Sequence, residues 1–357
     1  MPTPSNDVRV WHDLGKELSR AYEWFYFDLI ETDGTQMSIS LLAPNPFDLT
    51  PYRDTPTGPR CAQCAPPNYP APSRHVAAVV HASVPGEPPN VRSVQQAVHV
   101  NDGDGTVSFK ADPWELRIAG ATVTRTNDPL PVYTVDFDVA VGPFHAKGNL
   151  TFKTIQPEWA VPDDGLLFKQ QTDIGHWHRW VVHAPRAVVN GEYEITALVP
   201  TLPLLRKRVV NGDGYHDHNW GTRRPADAFQ RWMWARGSAG ENAVVAASLV
   251  PNPLVGYTDL RVSSLFAVTR PTGVSASLFT VTPDEASSEL PFAKVIDVGL
   301  SPSAGAYRAV FRHERVALEF APFYQRRITT LELFDPGAVA PVQGLAVAET
   351  MLPQIVG

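Results

Sequence analysis

The amino-acid sequence predicts an all-β protein with few helices, organised as two antiparallel β-barrel or sandwich domains. Apolar and polar side chains alternate in many short segments. Within residues 132–141, for example, Tyr133, Val135 and Phe137 alternate with polar neighbours, as expected for a strand with one buried and one wet face. Clusters of Gly, Pro, Asn and Asp separate the segments. The length, 357 residues, exceeds what one hydrophobic core usually organises and predicts two domains.

The elements follow one another as short strands joined by turns. Residues 8–22 carry only an amphipathic turn or two. Residues 44–74 are crowded with prolines and too long for a hairpin loop, so we interpret them as a lid over a barrel mouth or as a plain insertion. The strongly marked turn segment that ends at Gly221 predicts a join there, giving domains at 1–221 and 222–357. The other predicted strands are 23–30, 37–42, 75–84, 114–118, 193–199, 232–236, 243–250, 260–267 and 306–311.

Composition and charge exclude several classes of protein. Hydrophobic residues make up 43% of the chain and charged residues 19%, which is enough apolar material for folded cores. The net charge is −7, with no run of Lys or Arg, so the basic surface that nucleic-acid binding requires is missing. Residues 1–20 contain no apolar signal core, and no apolar stretch reaches the ~20 residues of a membrane span. These features predict a cytoplasmic protein, leave peripheral membrane contact open, and do not indicate an oligomeric state.

The two cysteines, Cys61 and Cys64, form a CxxC pair in the proline-rich segment. A redox site would place such a pair at a helix N-terminus within a βαβ unit, and a structural zinc would need two further ligands nearby. The sequence shows neither context. We interpret the pair as free thiols or an incidental disulfide.

Polar, titratable and aromatic residues concentrate in the segments GHWHRWVVHAP, at 175–185, and GYHDHNWG, at 214–221. In an extended chain successive side chains point to opposite faces. The second segment therefore has Tyr215, Asp217 and Asn219 on one face, opposite His216, His218 and Trp220. In the first segment His176, His178 and Trp180 share a face, opposite Trp177 and Arg179.

These faces predict acid chemistry centred on Asp217. Burial without a cation would raise the pKa of Asp217 above its reference near 3.9, so that it holds a proton at neutral pH. Such an acid can protonate an alkene, and the Trp180 ring can stabilise the resulting cation. His178 or Tyr215 would then orient or deprotonate a water. The alternative is a structural network in which Asp217 pairs with an arginine, namely Arg223, Arg224 or Arg236.

Two His-x-His pairs, His176 with His178 and His216 with His218, raise the question of a metal. On strands this spacing can present two imidazoles to one ion, but a zinc site also needs convergence in space and supporting groups. We therefore predict no metal. No glycine-rich phosphate loop precedes a helix and no GxSxG elbow occurs, which disfavours nucleotide cofactors and serine hydrolase chemistry.

The order of three motifs resembles the carotenoid 1,2-hydratase (hydroxyneurosporene synthase) family. The motifs are EWFYFDL at 23–29, HRWVVHAPRA at 178–187, and GYHDHNWG followed by RWMWARG at 231–237. The resemblance implies two lipocalin-like barrels with a pocket at or near their interface, no cofactor, and water addition across a terminal isoprenoid double bond. It assigns catalytic roles to His178, Trp180, Tyr215 and Asp217.

The sequence leaves three functions open. The first is a hydratase that acts on a small lipophilic isoprenoid or polyene. The second is a cyclase, because the architecture also resembles that of Diels-Alderases and cyclases from natural-product pathways. The third is a non-catalytic carrier, in which Asp217 would pair with an arginine and turn away from the cavity. Polar groups able to hold a water beside the alkene would favour hydration over cyclisation. The predicted substrate-binding aromatic residues are Trp24, Tyr26, Trp220, Trp232 and Trp234.

Overall fold

The computed structural model describes eleven stretches of the chain, and all structural statements refer to them. The stretches are 22–43, 75–99, 106–160, 166–169, 177–196, 201–221, 229–251, 264–278, 295–299, 307–320 and 324–352. No helix occurs among these residues, and every strand pairing is antiparallel, which confirms the predicted all-β class with few helices. The described part therefore contains no helix long and apolar enough to cross a membrane.

The strands form two sheets. The first sheet contains β1 (Tyr22–Ile30), β2 (Gln36–Ala43), β3 (His75–Ser83), β4 (Ser93–His99), β5 (Val107–Ala111), β6 (Trp114–Ile118), β7 (Ala121–Asn127), β8 (Pro131–Val141), β9 (Phe144–Thr154), β10 (Trp159–Ala160), β11 (Leu166–Lys169), β12 (Trp177–Ile195) and β13 (Leu205–Gly221). The second sheet contains β14 (Phe229–Ala239), β15 (Asn242–Pro251), β16 (Ser264–Arg270), β17 (Gly273–Leu278), β18 (Val295–Gly299), β19 (Arg308–Phe320), β20 (Tyr324–Phe334) and β21 (Val342–Met351).

The first sheet has the order β4-β3-β2-β1-β13-β12-β9-β8-β7-β6-β5, with β10 and β11 paired to β12. It curves back on itself, so that one face of β1–β4 packs against one face of β6–β9 around a single core. Alternation builds this core: Phe25, Phe27 and Leu29 point into it from β1, while Tyr26 and Ile30 point to the other face. Both faces of β1 are therefore buried.

The second sheet has the order β17-β16-β15-β14-β21-β20-β19-β18 and covers the outer face of β1, β12 and β13. On β14, Trp232 and Trp234 pack toward the first sheet, whereas Met233 and Ala235 belong to a separate core of the second sheet. One apolar cluster thus contains side chains of both sheets.

A β-bulge in β12 changes which residues face the second sheet. Val182 pairs with Asp217, but Ala184 pairs with the next residue of β13, His216, so that His183 is the extra residue. Before the bulge, Trp180 and Val182 face the second sheet. After it, Ala184 and Ala187 lie in the core of the first sheet. The bulge therefore ends the part of β12 that can contribute to a site between the sheets.

Each predicted strand overlaps an observed one. The largest difference between prediction and structure is the length of β12. Alternation predicted a strand at 193–199, whereas β12 runs without interruption from Trp177 to Ile195 and pairs with β13 over most of its length. The first sheet ends at Gly221 and the second begins at Phe229. The division into domains at this point remains a prediction. Several predicted features lie outside the described residues: residues 8–21 of the amphipathic segment 8–22, the proline-rich segment 44–74 with its cysteines, His176, Arg223 and Arg224.

Candidate functional site

A cavity of about 240 Å³ lies between the two sheets. Strands β1, β2, β12 and β13 of the first sheet and β14, β20 and β21 of the second contribute to its wall. Aromatic and aliphatic side chains make up most of the wall. Its polar side chains stand in three places: His178, Asp217 and Asn219 on β12 and β13, Ser38, Ser40, His81, Ser93 and Gln95 on β2, β3 and β4, and Arg326 with Glu349 on the second sheet. Apolar walls with a few placed polar groups are typical of small-molecule sites.

Strand register brings the predicted residues together. On β13 the side chains of Asp217 and Asn219 face the cavity, and across the ladder Tyr26 stands opposite Asp217 and Trp24 opposite Asn219. On the other side of β13, Trp180 of β12 pairs with Asn219. Alternation along three neighbouring strands thus sends these side chains to one face.

Asp217 is buried, being 4% exposed, and accepts three hydrogen bonds. Its Oδ2 accepts from the Trp180 Nε1–H and from the Tyr215 hydroxyl, both at 2.8 Å, and its Oδ1 accepts from the Asn219 amide at 2.9 Å. No arginine of the described chain pairs with it. Asp217 is therefore a carboxyl group held in place by neutral donors.

The electrostatic environment favours the protonated form of Asp217. Burial raises its pKa to about 7, although the hydrogen bonds from Trp180 and Tyr215 act in the opposite direction. The nearby carboxylates of Glu349 and Asp28 raise the pKa further. The raised pKa lets Asp217 hold a proton much closer to neutral pH than an ordinary carboxyl group does, which suits a general acid.

His178 also lines the cavity, on β12 opposite Gly221, and is neutral. Its Nδ1 is hydrogen-bonded to the Tyr22 hydroxyl, and its ring contacts Phe229 edge-on. Burial lowers its pKa to about 3. A neutral imidazole with this pKa can accept or donate a hydrogen bond, but it is a weak base.

Tyr215 lies behind Asp217 and does not line the cavity. Its hydroxyl donates to Asp217, and burial, with the adjacent Asp217 charge, raises its pKa well above the usual value of 10. Tyr215 is therefore placed to orient the carboxyl group. The sequence suggests that Tyr215 orients or deprotonates a water. Because Tyr215 does not line the cavity, this role does not fit its position.

Four of the five predicted substrate-binding aromatic residues line the cavity: Trp24, Tyr26, Trp232 and Trp234. The fifth, Trp220, does not. It lies on the opposite face of β13, where its ring stacks on His218 with centroids 4.5 Å apart. The strand alternation that places Asp217 in the cavity turns Trp220 away from it.

The described members of the two His-x-His pairs point in different directions. His216 stacks on Phe27 and His218 on Phe25, both in the first-sheet core, whereas His178 faces the cavity. Within the described ranges, no group of three or more His, Cys, Asp or Glu side chains has the arrangement of a metal site.

Sequence reasoning missed Arg326, Glu349, Tyr324 and Ser38. Arg326 Nη1 donates to Ser38 Oγ at 2.6 Å, which links the two sheets, and Arg326 Nη2 donates to Glu349 Oε2 at 3.0 Å. One signal in the sequence pointed to this arginine: Tyr324, Arg326 and Ile328 have the period-two spacing of a buried strand face.

A second missed feature ties the sheets together beside the cavity. Arg236, on β14, forms an ion pair with Asp28 of β1 and donates to Asp213 Oδ1 at 3.2 Å. Arg236 and Asp28 are each only 1% exposed. Of the three arginines that the sequence offers as partners of Asp217, Arg236 is thus paired with other carboxylates, and Arg223 and Arg224 lie outside the described residues.

No protein-family model matches the chain. A curated relative, named hydroxyneurosporene dehydrogenase, from Chlorobaculum tepidum, is 23% identical over 238 residues. The match covers 64% of this chain and 56% of the relative, so it spans little more than half of the relative's length.

Solved structures share the fold at low sequence identity. CghA, which has also been solved with Sch210972, superposes with a TM-score of 0.60 at 14% identity, covering 94% of this chain and 88% of CghA. Kievitone hydratase from Nectria haematococca gives a TM-score of 0.55 at 11% identity, covering 92% and 88%. An AttH-like protein from Nitrosomonas europaea gives 0.52 at 13% identity, covering 97% and 98%.

The agreement extends over nearly the whole chain, and it confirms the expected lipocalin-like, antiparallel all-β fold. The sequence resemblance is confirmed by the curated relative at low identity. The chain is thus a lipocalin-like, two-sheet β protein that shares its fold with CghA and kievitone hydratase and is distantly similar in sequence to a hydroxyneurosporene dehydrogenase.

Proposed function

We propose that this protein is a cofactor-independent acid-base enzyme that protonates a carbon-carbon double bond of an apolar isoprenoid or polyene and adds water to it. The observation that carries the proposal is Asp217: a buried carboxyl group that faces an aromatic cavity, has no cationic partner among the described residues, and has a pKa near 7. A carboxylic acid kept protonated by burial is the group that alkene protonation requires.

The first step is proton transfer from Asp217 to the alkene. Oδ2 already accepts two hydrogen bonds, whereas Oδ1 accepts one, so Oδ1 carries the proton. The π electrons of the double bond form the new C–H bond, and the more substituted carbon becomes cationic. Trp180 and Tyr215 stabilise the carboxylate that is left behind, because both donate to it.

The cation is stabilised by the aromatic wall. Trp24 and Trp232 line the cavity with ring centroids 5.9 Å apart, and Trp180 and Trp234 lie in the same wall. The face of an indole ring attracts a cation by ~0.5–2 kcal/mol or more in a desolvated site. No anion other than the carboxylate formed in the first step is needed beside the cation.

Water then attacks the cation, and Asp217 takes back a proton. Asn219 donates to the acid and lines the cavity, and His178 lines it farther along the strand pair, opposite Gly221. Both side chains offer polar contacts for a water. With a pKa of about 3, His178 orients this water and does not deprotonate it. The oxonium ion loses its proton to the Asp217 carboxylate, so the alkene and one water give an alcohol and the acid is restored.

We prefer hydration to the two alternatives, a non-catalytic carrier and a cyclase. A carrier was expected to have Asp217 paired with an arginine and turned away, whereas Asp217 faces the cavity and Arg236 pairs with Asp28. Cyclisation would suit a dry pocket, whereas polar side chains flank this acid. The shared fold of kievitone hydratase and the name of the curated relative are in keeping with hydration of a lipophilic compound.

The cavity also bears on substrate size. About 240 Å³ is slightly below the roughly 300–1,000 Å³ of common ligand pockets. The cavity therefore receives a small terpenoid, or the terminal units of a longer polyene such as a carotenoid. We expect the substrate to be the main partner and the protein to act in the cytoplasm.

The proposal is tested by incubating the wild type with acyclic isoprenoids in H₂¹⁸O and analysing the products by mass spectrometry. The wild type should give ¹⁸O-labelled alcohol, and Asp217→Asn should give none. Asp138→Asn, at an exposed carboxylate of β8, is the matched control and should behave as the wild type. Unlabelled isomers of the substrate would show that the reaction is a cyclisation and not a hydration. Binding without turnover would show that the protein is a carrier.

A further inference from the structure

The second sheet contributes a pair of charged residues to the cavity wall, Arg326 and Glu349, which are remote from Asp217 in the chain. Arg326 of β20 and Glu349 of β21 are adjacent in the ladder and both line the cavity. The Arg326 guanidinium lies over the Tyr26 ring, 5.2 Å from its centroid, and Tyr26 stands opposite Asp217 across β1 and β13. One aromatic ring therefore separates this pair from the acid.

The hydrogen bonds of the pair leave defined groups open. Arg326 donates to Ser38 Oγ through Nη1 and to Glu349 Oε2 through Nε and Nη2, which uses three of the five N–H groups of a guanidinium. Glu349 Oε2 also accepts from the Tyr324 hydroxyl at 2.8 Å. The Arg326 side chain is also hydrogen-bonded to Tyr324. These hydrogen bonds do not use Glu349 Oε1 or the remaining N–H of the guanidinium, and both residues line the cavity.

An apolar substrate would leave these groups without hydrogen bonds. Arg326 is 6% exposed and the Glu349 side chain 12%, so a hydrocarbon filling the cavity would displace the water that solvates them. Burying polar groups without partners weakens binding. A substrate that replaces this water must supply both an acceptor and a donor.

A hydroxyl group meets this requirement. Its oxygen accepts from an Arg326 N–H, and its proton is donated to Glu349 Oε1. A carboxylate would match Arg326 but repel Glu349, and an ether or a ketone would offer no donor. Because Arg326 and Glu349 neutralise each other, the pair selects a neutral oxygen rather than an anion.

We propose that the substrate is an isoprenoid alcohol whose hydroxyl group is bound by Arg326 and Glu349 while its double bond lies against Asp217. This inference rests on the proposed function, since it names the substrate class of the same cavity. It divides the cavity into a recognition end on the second sheet and a reaction end on the first.

The test measures binding of four C15 probes by quenching of tryptophan fluorescence: farnesol, farnesyl methyl ether, β-farnesene and farnesoic acid. The wild type should bind farnesol at least about tenfold more tightly than the other three, a difference of about 1.4 kcal/mol, because only farnesol is neutral and offers both an acceptor and a donor. Arg326→Met alone would strand the Glu349 charge and risk misfolding. The informative variant is therefore the double substitution Arg326→Met with Glu349→Gln, which removes both charges.

The double variant should bind farnesol and β-farnesene with similar affinity. The matched control is Arg312→Met with Glu332→Gln, a cross-strand pair of β19 and β20 whose arginine is 51% exposed, and it should keep the tenfold preference. A wild type that does not prefer farnesol, or a double variant that keeps the preference, overturns the inference.

The same samples separate this inference from the proposed function. Asp217→Asn should keep the preference for farnesol although it forms no labelled product. Preference for the alcohol without any turnover by the wild type would contradict the hydratase proposal and support the hydroxyl site. Labelled product formed from farnesol and β-farnesene with equal efficiency and equal affinity would support the hydratase proposal and contradict the hydroxyl site.

Discussion

The raised pKa of Asp217 makes the stability of the protein depend on pH in a direction that can be calculated. The carboxyl group titrates near pH 7 in the folded protein and near its ordinary 3.8 in the unfolded chain. Between these values the folded state holds a proton that the unfolded state has lost. The stabilisation is therefore fully present below about pH 4 and is lost as the pH rises through 7.

The magnitude follows from the same two values. Between pH 5 and pH 7, the titration of Asp217 lowers the free energy of unfolding by about 1.4 kcal/mol for each rise of one pH unit. Above pH 7 this decrease levels off, because the folded state has also lost the proton. We expect Asp217 to lower the free energy of unfolding by roughly 3 kcal/mol between pH 5 and pH 9. Asp217→Asn should lack this contribution, because its amide keeps the shape and an acceptor for Trp180 and Tyr215 but does not titrate.

The assay compares urea unfolding of the wild type and Asp217→Asn at pH 5 and pH 9, followed by tryptophan fluorescence. The stability of the variant relative to the wild type should rise by roughly 3 kcal/mol from pH 5 to pH 9. Infrared spectroscopy provides an independent readout, since the carbonyl band of one protonated carboxylic acid should disappear near pH 7 in the wild type only. A difference in stability that does not change with pH, together with no such band, would refute a buried acid at Asp217.

Three further substitutions test the surroundings of the acid. Tyr215→Phe removes a donor that favours the carboxylate, so the infrared titration of Asp217 should move to higher pH; an unchanged midpoint would argue against the hydrogen bond. Arg236→Met should lower the free energy of unfolding by about 3–5 kcal/mol because it strands the buried Asp28 charge, and adding Asp28→Asn should recover part of the loss in the same urea assay. Gly214→Ala should cost ~1–3 kcal/mol, since its Cβ would lie 2.3 Å from a methyl group of the next strand; a melting temperature equal to that of the wild type would contradict this packing.

Much of the candidate site follows from local rules that act within one strand. Backbone alternation in GYHDHNWG is sufficient to place Asp217 and Asn219 on one face and Trp220 on the other, and the structure has this arrangement. The same rule holds for His178 and Trp180. The prediction that Trp220 binds the substrate rested on its aromatic character alone. Alternation places Trp220 on the face opposite Asp217, and there it stacks on His218.

Local rules fail where register depends on a partner strand. The extra residue His183 in β12 shifts the pairing with β13, and no period in HRWVVHAPRA indicates it. A bulge is stabilised by contacts on both sides of the strand, and those contacts come from distant parts of the chain.

The sequence by itself determined that the chain is all-β and that Asp217 shares a face of its strand with Asn219, as His178 does with Trp180, because side-chain direction in a strand depends only on the period of the backbone. Only the tertiary structure decided that this face is covered by the second sheet, which buries Asp217 and raises its pKa. It also decided that Arg326 and Glu349 stand across the cavity from the first sheet. Burial and cross-sheet contacts depend on how two sheets pack, and packing joins residues more than one hundred positions apart.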